Sequence, residues 1–312
     1  MRVFVTGSTG FVGTAVVKEL LSAGHQVLGL TRSDKGAEQL NAQGAEAFHG
    51  DIKDLEVLKQ GASQCDAVIH LAFVHNFADM TGSCAIDRAA ITALGSALVE
   101  AGGDRALVIT SGTMMLYRSK LCDEDTSPDM TNPLAAMRGA SEAVCLDFAR
   151  KGIRASVVRL PPTTHGPGSS GFTGMLVMAA IEKGVSAYIE GQNRWCAGHR
   201  DDAARIYRLA IEKADPGSVF HAVGEEGVLL KDIATAIGDQ LEIPVVGLAP
   251  EKAEEHFGWF AFGPTADNIA SSKKTQERLG WNPTSPTVVE DVPEIIGFFK
   301  SSNAHRSLEP IS

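Results

Sequence analysis

The chain has 312 residues, of which 44% are apolar, and a formal net charge of −10. This composition is typical of a globular protein that forms one large domain or two lobes, and an acidic chain without a Lys/Arg block lacks the footprint expected for nucleic acid or anionic lipid partners. The first predicted strand begins at residue 2 and no apolar run is long enough to span a bilayer, so we expect a cytoplasmic protein without a membrane partner.

The cysteines number five, and no two of them have the spacing of a Cys-x-x-Cys pair. An odd, scattered set argues against a disulfide framework or a zinc site, so we expect buried thiols and no bound metal. They are Cys65, Cys84, Cys122, Cys145 and Cys196.

The start of the chain predicts a strand, a glycine turn and a helix in immediate succession. Residues 2–6 are apolar and rich in β-branched side chains, as a buried parallel strand requires, and residues 14–23 have the pattern of an amphipathic helix. In such a unit the three glycines permit a tight turn, close approach of a pyrophosphate, and close packing of helix on strand. We therefore predict a dinucleotide site. The expected contacts in the turn are Gly7, Thr9, Gly10, Phe11, Val12 and Gly13.

The end of the second predicted strand, residues 26–30, indicates which dinucleotide binds. NAD-binding units place an acidic residue about twenty residues after the glycines, where it binds the adenosine ribose. Here the strand leads into Thr31, Arg32 and Ser33. A guanidinium flanked by hydroxyls suits a 2′-phosphate, so we predict NADP(H) in preference to NAD(H). A solvated surface arginine is the alternative, which the neighbouring Asp34 favours.

Two further strand ends should complete this site. Residues 45–52 predict a third strand, in which Asp51 either accepts a hydrogen bond from the adenine amino group or caps the helix that follows at Asp54. Residues 66–73 predict a fourth strand whose end should lie beneath the ribose and phosphates, and residues 74–77 form a loop where substrate should arrive. The cofactor contacts expected here are Asp51, Ile52, Leu71, Ala72 and Phe73.

Strands and helices continue to alternate up to residue 165. This order predicts an α/β fold with a doubly wound, parallel Rossmann sheet. The remainder is less regular and carries an aromatic cluster between Phe257 and Phe262. We assign residues 1–165 to the dinucleotide-binding domain, to which residues from about 195 to 225 return, and residues 166–312 mainly to a smaller α/β substrate lobe.

Several motifs spread along nearly the whole chain point to a family. They are the turn from Thr6 to Gly13, Asp51, His70-Leu-Ala72, Thr110-Ser111, Asn132-Pro133, Arg159-Leu-Pro-Pro162, Gly166-Pro-Gly168, His199-Arg-Asp-Asp-Ala203 and Leu279-Gly-Trp-Asn-Pro283. With them the chain resembles the extended short-chain dehydrogenases/reductases, the superfamily of NAD-dependent epimerases and dehydratases. The resemblance implies a small-molecule substrate, a homodimer, and further cofactor contacts from Thr110, Arg138 and Pro161.

The chain departs from this family at the catalytic pair. The family places a tyrosine directly after the Asn-Pro and a lysine four residues later, so that the lysine lowers the pKa of the phenol and holds the nicotinamide ribose. Here these positions are Leu134 and Arg138, and Ile91 lies near the place where the family has an asparagine on the preceding helix. Arg138 can donate to ribose hydroxyls but cannot act as an acid. The chain therefore resembles an atypical member.

Five residues are candidates for the catalytic machinery that remains. Ser111 and Thr113 bracket the family's substrate-binding hydroxyl, and the Tyr117 phenol or the His165 imidazole could donate a proton; packing or local roles are the alternatives. Arg138 would supply positive charge. His75 and Arg194 are weaker possibilities, since Arg194 either binds an anionic substrate group or pairs with Asp201 or Asp202.

These observations predict an NADPH-dependent oxidoreductase that reduces a ketone, aldehyde or imine. The aromatic cluster and four methionines would line a fairly apolar pocket; core packing is the alternative, and it is favoured for the methionines. An epimerase or dehydratase acting on nucleotide sugars is disfavoured by the missing tyrosine and lysine, and a non-catalytic NADP sensor is the other alternative. The methionines are Met114, Met115, Met175 and Met178.

Overall fold

A computed structural model of the protein describes residues 1–116, 119–169 and 171–301. The strands are β1 (Arg2–Thr6), β2 (Gln26–Thr31), β3 (Glu46–His49), β4 (Ala67–His70), β5 (Ala106–Gly112), β6 (Arg154–Leu160), β7 (Thr163–His165), β8 (Ser186–Ile189), β9 (Arg194–His199), β10 (Ser218–His221), β11 (Glu225–Leu229) and β12 (Val245–Leu248). The α-helices are α1 (Phe11–Ser22), α2 (Asp34–Gln43), α3 (Leu55–Ser63), α4 (Met80–Ala101), α5 (Pro133–Asp147), α6 (Phe172–Lys183), α7 (Arg200–Lys213), α8 (Leu230–Leu241), α9 (Ala253–Phe257), α10 (Lys273–Leu279) and α11 (Val288–Ser301).

Seven parallel strands form the central sheet, in the order β10-β6-β5-β4-β1-β2-β3. The chain leaves β1 towards β2 and β3 on one side, and continues with β4, β5 and β6 on the other. Neighbouring connections therefore diverge between β1 and β4, and the crevice outside the carboxyl ends of these strands is where ligands bind in such sheets. The predicted doubly wound fold is confirmed.

Helices cover both faces of the sheet, as a parallel sheet with two apolar faces requires. On one face α1 and α7 bury Val16, Leu20 and Ile206 against the strands. On the other face α3, α4 and α5 form a separate core that includes Leu58 and Leu94. The central sheet is therefore buried on both faces, which leaves its carboxyl edge as the place for a site.

The second lobe has its own apolar core. Helices α6, α8, α9 and α11 pack around the short sheet pair β8–β12 and one face of the three-stranded sheet β11-β9-β7. Trp195 and Ile233 are buried at its centre. The chain then returns to the first lobe, because α7 packs on α1 and β10 extends the central sheet beside β6.

Some element boundaries differ from the sequence predictions for local reasons. Helix α4 begins at Met80, at the end of the loop where substrate was expected, because the Asp79 side chain caps it by accepting from the Gly82 amide. Strand β3 ends at His49, and β4 ends at His70, so the segments beyond them are loops rather than strand. Strands β7, β9, β11 and β12 and helices α9 and α11 were not predicted from the sequence, and most of them are too short for a clear period.

None of the described helices is both long enough and apolar enough to cross a membrane. Within the same residues, no group of three or more His, Cys, Asp or Glu side chains is arranged to hold a metal ion. All five cysteine side chains are buried.

Candidate functional site

The glycine turn between β1 and α1 has the geometry of a phosphate cradle. Gly7 has a φ of +66°, and a Cβ atom there would lie 2.8 Å from the Ala72 backbone nitrogen. A Cβ on Gly13 would lie only 1.9 Å from the Gly7 carbonyl oxygen, so helix and turn touch through bare backbone. Gly10 caps α1 without any side-chain hydrogen bond. The first amides of α1 are thus left for an external acceptor, which fits a dinucleotide diphosphate.

The end of β4 lies directly against this turn. The Thr6 hydroxyl is 2.7 Å from His70 Nδ1 and accepts a hydrogen bond from the Ala72 amide at 3.2 Å. This buried network fixes the path of the chain through Leu71 and Phe73, which are half-buried at the same edge. The structure therefore brings together the predicted cofactor contacts of the glycine turn and of the β4 end.

At the adenosine end, the structure separates the roles of the three residues predicted after β2. Arg32 is 81% exposed, and its nearest carboxylate oxygen, on Asp51, is 3.8 Å away. Thr31 is buried, with its hydroxyl directed at the Ser33 carbonyl, and Ser33 caps α2 by accepting from the Gly36 amide. Arg32 is consequently the group most open to a ligand phosphate, while the two hydroxyls also hold the local turn.

Asp51 does not cap a helix, contrary to one of the two alternatives left open by the sequence. It accepts from the Lys53 amide, and Asp54 itself caps α3 by accepting from Val57. Asp51 and Ile52 are half-buried in the loop after β3. The adenine contact therefore stays the predicted role of Asp51.

The centre of the site holds an ion pair that the sequence analysis missed. Arg138 Nη1 donates to Asp87 Oδ2 at 2.8 Å, and Asp87 Oδ1 lies 3.4 Å from Nε2 of the buried His70. Burial by itself raises the pKa of Asp87, but the neighbouring His70 and Arg138 outweigh it and lower this pKa below its usual value. Asp87 is thus a buried, ionised carboxylate. It lies one helical turn before Ile91, the residue near the position where the family has an asparagine. A carboxylate inside a helix of small apolar residues was the available signal.

The guanidinium of Arg138 is held on three sides. Besides Asp87, it donates through Nη2 to the Thr110 carbonyl at 3.0 Å, and its carbon lies 4.3 Å from the centre of the Phe73 ring. Its side chain keeps 18% of its surface exposed. Leu134, where the family has its tyrosine, is 41% exposed at the start of α5. The arrangement provides a fixed positive charge with an apolar neighbour, at the carboxyl edge of β5.

The other candidate groups fall into different surroundings. Ser111 follows the carbonyl that Arg138 holds, and its hydroxyl points at the Met115 sulfur 3.2 Å away. The Thr110 hydroxyl donates to the His70 carbonyl and lies 2.8 Å from the Tyr207 hydroxyl. Tyr117 lies outside the described residues.

Thr113 is sealed more completely than Ser111, which is itself buried but keeps 5% of its surface exposed. Its side chain is fully buried, and its hydroxyl donates to Asn268 Oδ1 at 2.8 Å. The Asn268 amide donates back to the Thr113 carbonyl. This geometry favours Ser111 over Thr113 as the hydroxyl that meets a substrate.

His165 belongs to a buried cluster between β7, β9 and α11. Its Nδ1 lies 2.5 Å from Asp291 Oδ2, and its ring packs edge-on against His199. Burial lowers the pKa of His199, although Asp291 and Asp201 act in the opposite direction. Since His165 is only 1% exposed, its imidazole joins two lobe elements rather than facing the open cleft. Pro161, a predicted cofactor contact, is buried beside Gly198 near this cluster.

A row of aromatic rings crosses from the first lobe to the second. Phe73 meets His75 at 5.2 Å between ring centroids, and Phe77 meets Trp259 at 4.7 Å. Phe77 is 40% and Trp259 59% exposed, although both are large apolar side chains. Burial, with a contribution from the Arg138 charge, lowers the pKa of His75, which favours its neutral form. The row thus lines the loop where substrate was expected with apolar, largely uncharged surface.

Two expectations for the lobe need correction or refinement. Arg194 pairs with Asp267, at 3.1 Å from Nη2 to Oδ2, rather than with Asp201 or Asp202. Among the methionines, Met115 and Met178 are buried in apolar cores, whereas Met175 is partly buried against the lobe core. The core interpretation therefore holds for Met115 and Met178.

Comparison with known proteins gives consistent results. A sequence model of the NAD dependent epimerase/dehydratase family matches residues 3–223. The chain is 46% identical, over 94% of its length and 98% of the relative's, to an uncharacterized protein of Schizosaccharomyces pombe. It is 26% identical to a 4-hydroxy-2-methyl-3-oxo-4-farnesyl-3,4-dihydroquinoline-1-oxide ketoreductase of Stigmatella aurantiaca, over 85% of this chain and 83% of the relative.

Among solved structures, the dTDP-glucose 4,6-dehydratase DesIV of Streptomyces venezuelae, with NAD and TYD bound, superimposes with a TM-score of 0.79. The match covers 98% of both chains at 20% identity. At this identity, the similarity concerns the fold.

Proposed function

This chain belongs to the NAD dependent epimerase/dehydratase family, within the NAD(P)-dependent oxidoreductases, and we propose on that premise that it is an NADPH-dependent reductase of small, fairly apolar carbonyl or imine compounds. The observation that carries the proposal is the composition of the cleft beside Arg138. One fixed cation there lies against Phe73, and a chain of ring contacts leads from Phe73 through His75 to the exposed Phe77–Trp259 pair. The exposed Leu134 lies one helical turn before Arg138 on α5. Such a surface fits an apolar substrate with a single polarised group.

The dinucleotide would be held by the chain's own backbone and by few side chains. The bare glycine turn, the open amides of α1, and the fixed Leu71–Phe73 segment fit a dinucleotide, and the bound cofactor supplies the hydride. The exposed Arg32 would meet the 2′-phosphate, which is the reason for preferring NADP(H).

Arg138 and Ser111 divide the remaining work in this proposal. Arg138 cannot release a proton at working pH, but its guanidinium, fixed by Asp87 and the Thr110 carbonyl, can stabilise negative charge that develops on the substrate oxygen. Ser111, next along β5, can turn its hydroxyl from the Met115 sulfur, a weak acceptor, towards the substrate. The proton itself then comes from water. General acid catalysis typically contributes 10²–10⁴-fold, so we expect slow turnover rather than none.

The choice of reduction over epimerisation rests on proton chemistry, because the relatives include both a ketoreductase of Stigmatella aurantiaca and a UDP-glucose 4-epimerase of Corynebacterium glutamicum. An epimerase or dehydratase must remove a proton from an alcohol. Neither Leu134 nor Arg138 can accept that proton.

The test is NADPH oxidation by the purified protein across a panel of ketones, aldehydes and cyclic imines, followed by absorbance. We expect turnover with apolar members of the panel. Saturable NADPH binding in the same samples without turnover of any compound would contradict the reductase and favour a non-catalytic NADP sensor.

The cofactor preference has its own test in Arg32→Gln. Removing a charge-assisted phosphate contact should raise the Kd for NADPH by about 10- to 100-fold while leaving that for NADH within about twofold. Lys18→Gln, an exposed cation on α1, serves as the control and should change neither value. Equal changes for both dinucleotides in Arg32→Gln would remove Arg32 from the 2′-phosphate site. Binding is measured by fluorescence titration.

A further inference from the structure

Helix α7 begins beside the glycine turn, although it follows the second lobe in the sequence. Two contacts with α1 and one with His25, just after it, establish the relative direction of the two helices. Arg200 lies over Phe11, Arg208 donates to Glu19 at 2.6 Å, and Glu212 accepts from His25 at 3.0 Å. Because the residue numbers rise together, the helices run parallel, and the N-terminus of α7 lies at the same edge of the sheet as that of α1.

Arg200, the first residue of α7, differs from the other arginines of that helix. Arg205 pairs with Asp202, and Arg208 pairs with both Glu19 and Glu212. The Nε of Arg200 is buried, and no hydrogen-bond partner for it is found in residues 1–116, 119–169 and 171–301. Its nearest carboxylate oxygen, on Asp201, is 3.6 Å away. A buried donor without a partner is rare enough in a folded protein to require an explanation.

The position of the guanidinium supplies one. Its carbon lies 5.0 Å from the centre of the Phe11 ring, and Phe11 is the first helical residue after the glycine turn. Gly166 makes room for the arginine stem, since a Cβ there would lie 3.2 Å from Arg200 Cγ and 2.9 Å from His199 Nε2. The charged head is thus placed next to the amides that fit the diphosphate.

We infer that Arg200 binds the diphosphate of the nicotinamide dinucleotide, so that the segment returning from the second lobe completes the cofactor site. The amides of α1 hold the diphosphate from one side through backbone donors, and Arg200 adds a charged side-chain donor from the other. The inference depends on dinucleotide binding alone and not on carbonyl reduction. A chain that binds NADPH and reduces nothing would leave it intact.

Arg200→Gln tests this inference by equilibrium titration of NADPH and NADH without substrate. The diphosphate is common to both dinucleotides, so we expect both Kd values to rise by the same factor, about 10- to 100-fold. Arg208→Gln is a matched control, because it removes the same charge from the same helix at the same 23% side-chain exposure. That control should bind both dinucleotides as the wild type does.

Unchanged affinities in Arg200→Gln, or a loss for NADPH alone, would overturn the inference, since the first shows no contact and the second a contact to the 2′-phosphate. An equal loss in Arg208→Gln would do so as well. If Arg200→Gln does not fold, phenylglyoxal labelling of the wild type replaces it: saturating NADPH should protect Arg200, and undiminished labelling contradicts the contact. A wild-type chain that binds neither dinucleotide would overturn both this inference and the cofactor assignment.

Discussion

Helix α5 takes part in two buried arginine–carboxylate pairs, and they differ in what each arginine has left to offer. Four residues after Arg138, Glu142 receives two hydrogen bonds from Arg159, at 2.8 and 2.7 Å, and both side chains are at most 4% exposed. Arg159 also donates to the Thr126 carbonyl and lies 3.3 Å from His221 Nε2. This pair is closed, because its polar atoms are engaged by the protein.

The Arg138–Asp87 pair is built from the same chemistry but remains open on one side. One nitrogen of Arg138 meets Asp87 and another meets the Thr110 carbonyl, while part of the side chain stays exposed at the cleft. The contrast shows that burial of an ion pair does not by itself indicate function. The pair that keeps an accessible donor, at the carboxyl edge of the sheet, is the one that can act on a ligand.

The closed pair should have the largest effect on stability. Glu142→Gln leaves the Arg159 charge buried without a counter-charge, and we expect a loss of about 3–5 kcal/mol in the free energy of unfolding, measured by urea denaturation. Glu182→Gln, at an exposed position of α6, is the control and should stay within about 0.5 kcal/mol of the wild type. A loss below about 1 kcal/mol in Glu142→Gln would show that the pair is not structural.

The closed pair also predicts a dependence of stability on pH. Burial, and then the Arg159 charge, lower the pKa of His221 to about 4. Because the folded pKa lies below the unfolded value of about 6.5, the unfolded state takes up its proton first as the pH falls. Stability should therefore be constant for this group above about pH 6.5, and should decrease by up to about 3 kcal/mol towards pH 4.

His221→Asn checks this assignment, because an amide can still donate to the Ser271 carbonyl, as Nδ1 does at 2.8 Å, but does not titrate. The variant should have a shallower decrease in unfolding free energy between pH 6.5 and 4 than the wild type. An unchanged slope would mean that other histidines carry the dependence.

The two pairs also show which features of the site could be predicted from the sequence and which could not. The glycine turn, the alternation of strands and helices, and the position of Arg138 follow from local patterns, because each depends on neighbours in the chain. Asp87 and Arg138 are 51 residues apart in the sequence and meet only because α4 and α5 pack together. The same holds for Asn268, which seals Thr113 from a distance of 155 residues. Single-sequence patterns contain no record of such contacts. The sequence therefore identified candidate groups without showing which of them already have partners within the fold.

The open pair should affect turnover more than folding. Asp87→Asn removes the charge that holds Arg138, but the freed guanidinium can still be solvated at the cleft, so we expect a loss of only about 1–2 kcal/mol in unfolding free energy. With a carbonyl substrate identified from the panel, kcat should fall by about 100-fold, because Arg138 is no longer fixed where negative charge develops. The Kd for NADPH should stay within about threefold, since the glycine turn is untouched.

The control is Asp104→Asn, which breaks a salt bridge to Arg154 at a 78%-exposed carboxylate. It should leave the unfolding free energy, kcat and the Kd for NADPH near their wild-type values. A variant that keeps full kcat would show that Arg138 acts without its partner, and the distinction between an open and a closed pair would then lose its functional meaning.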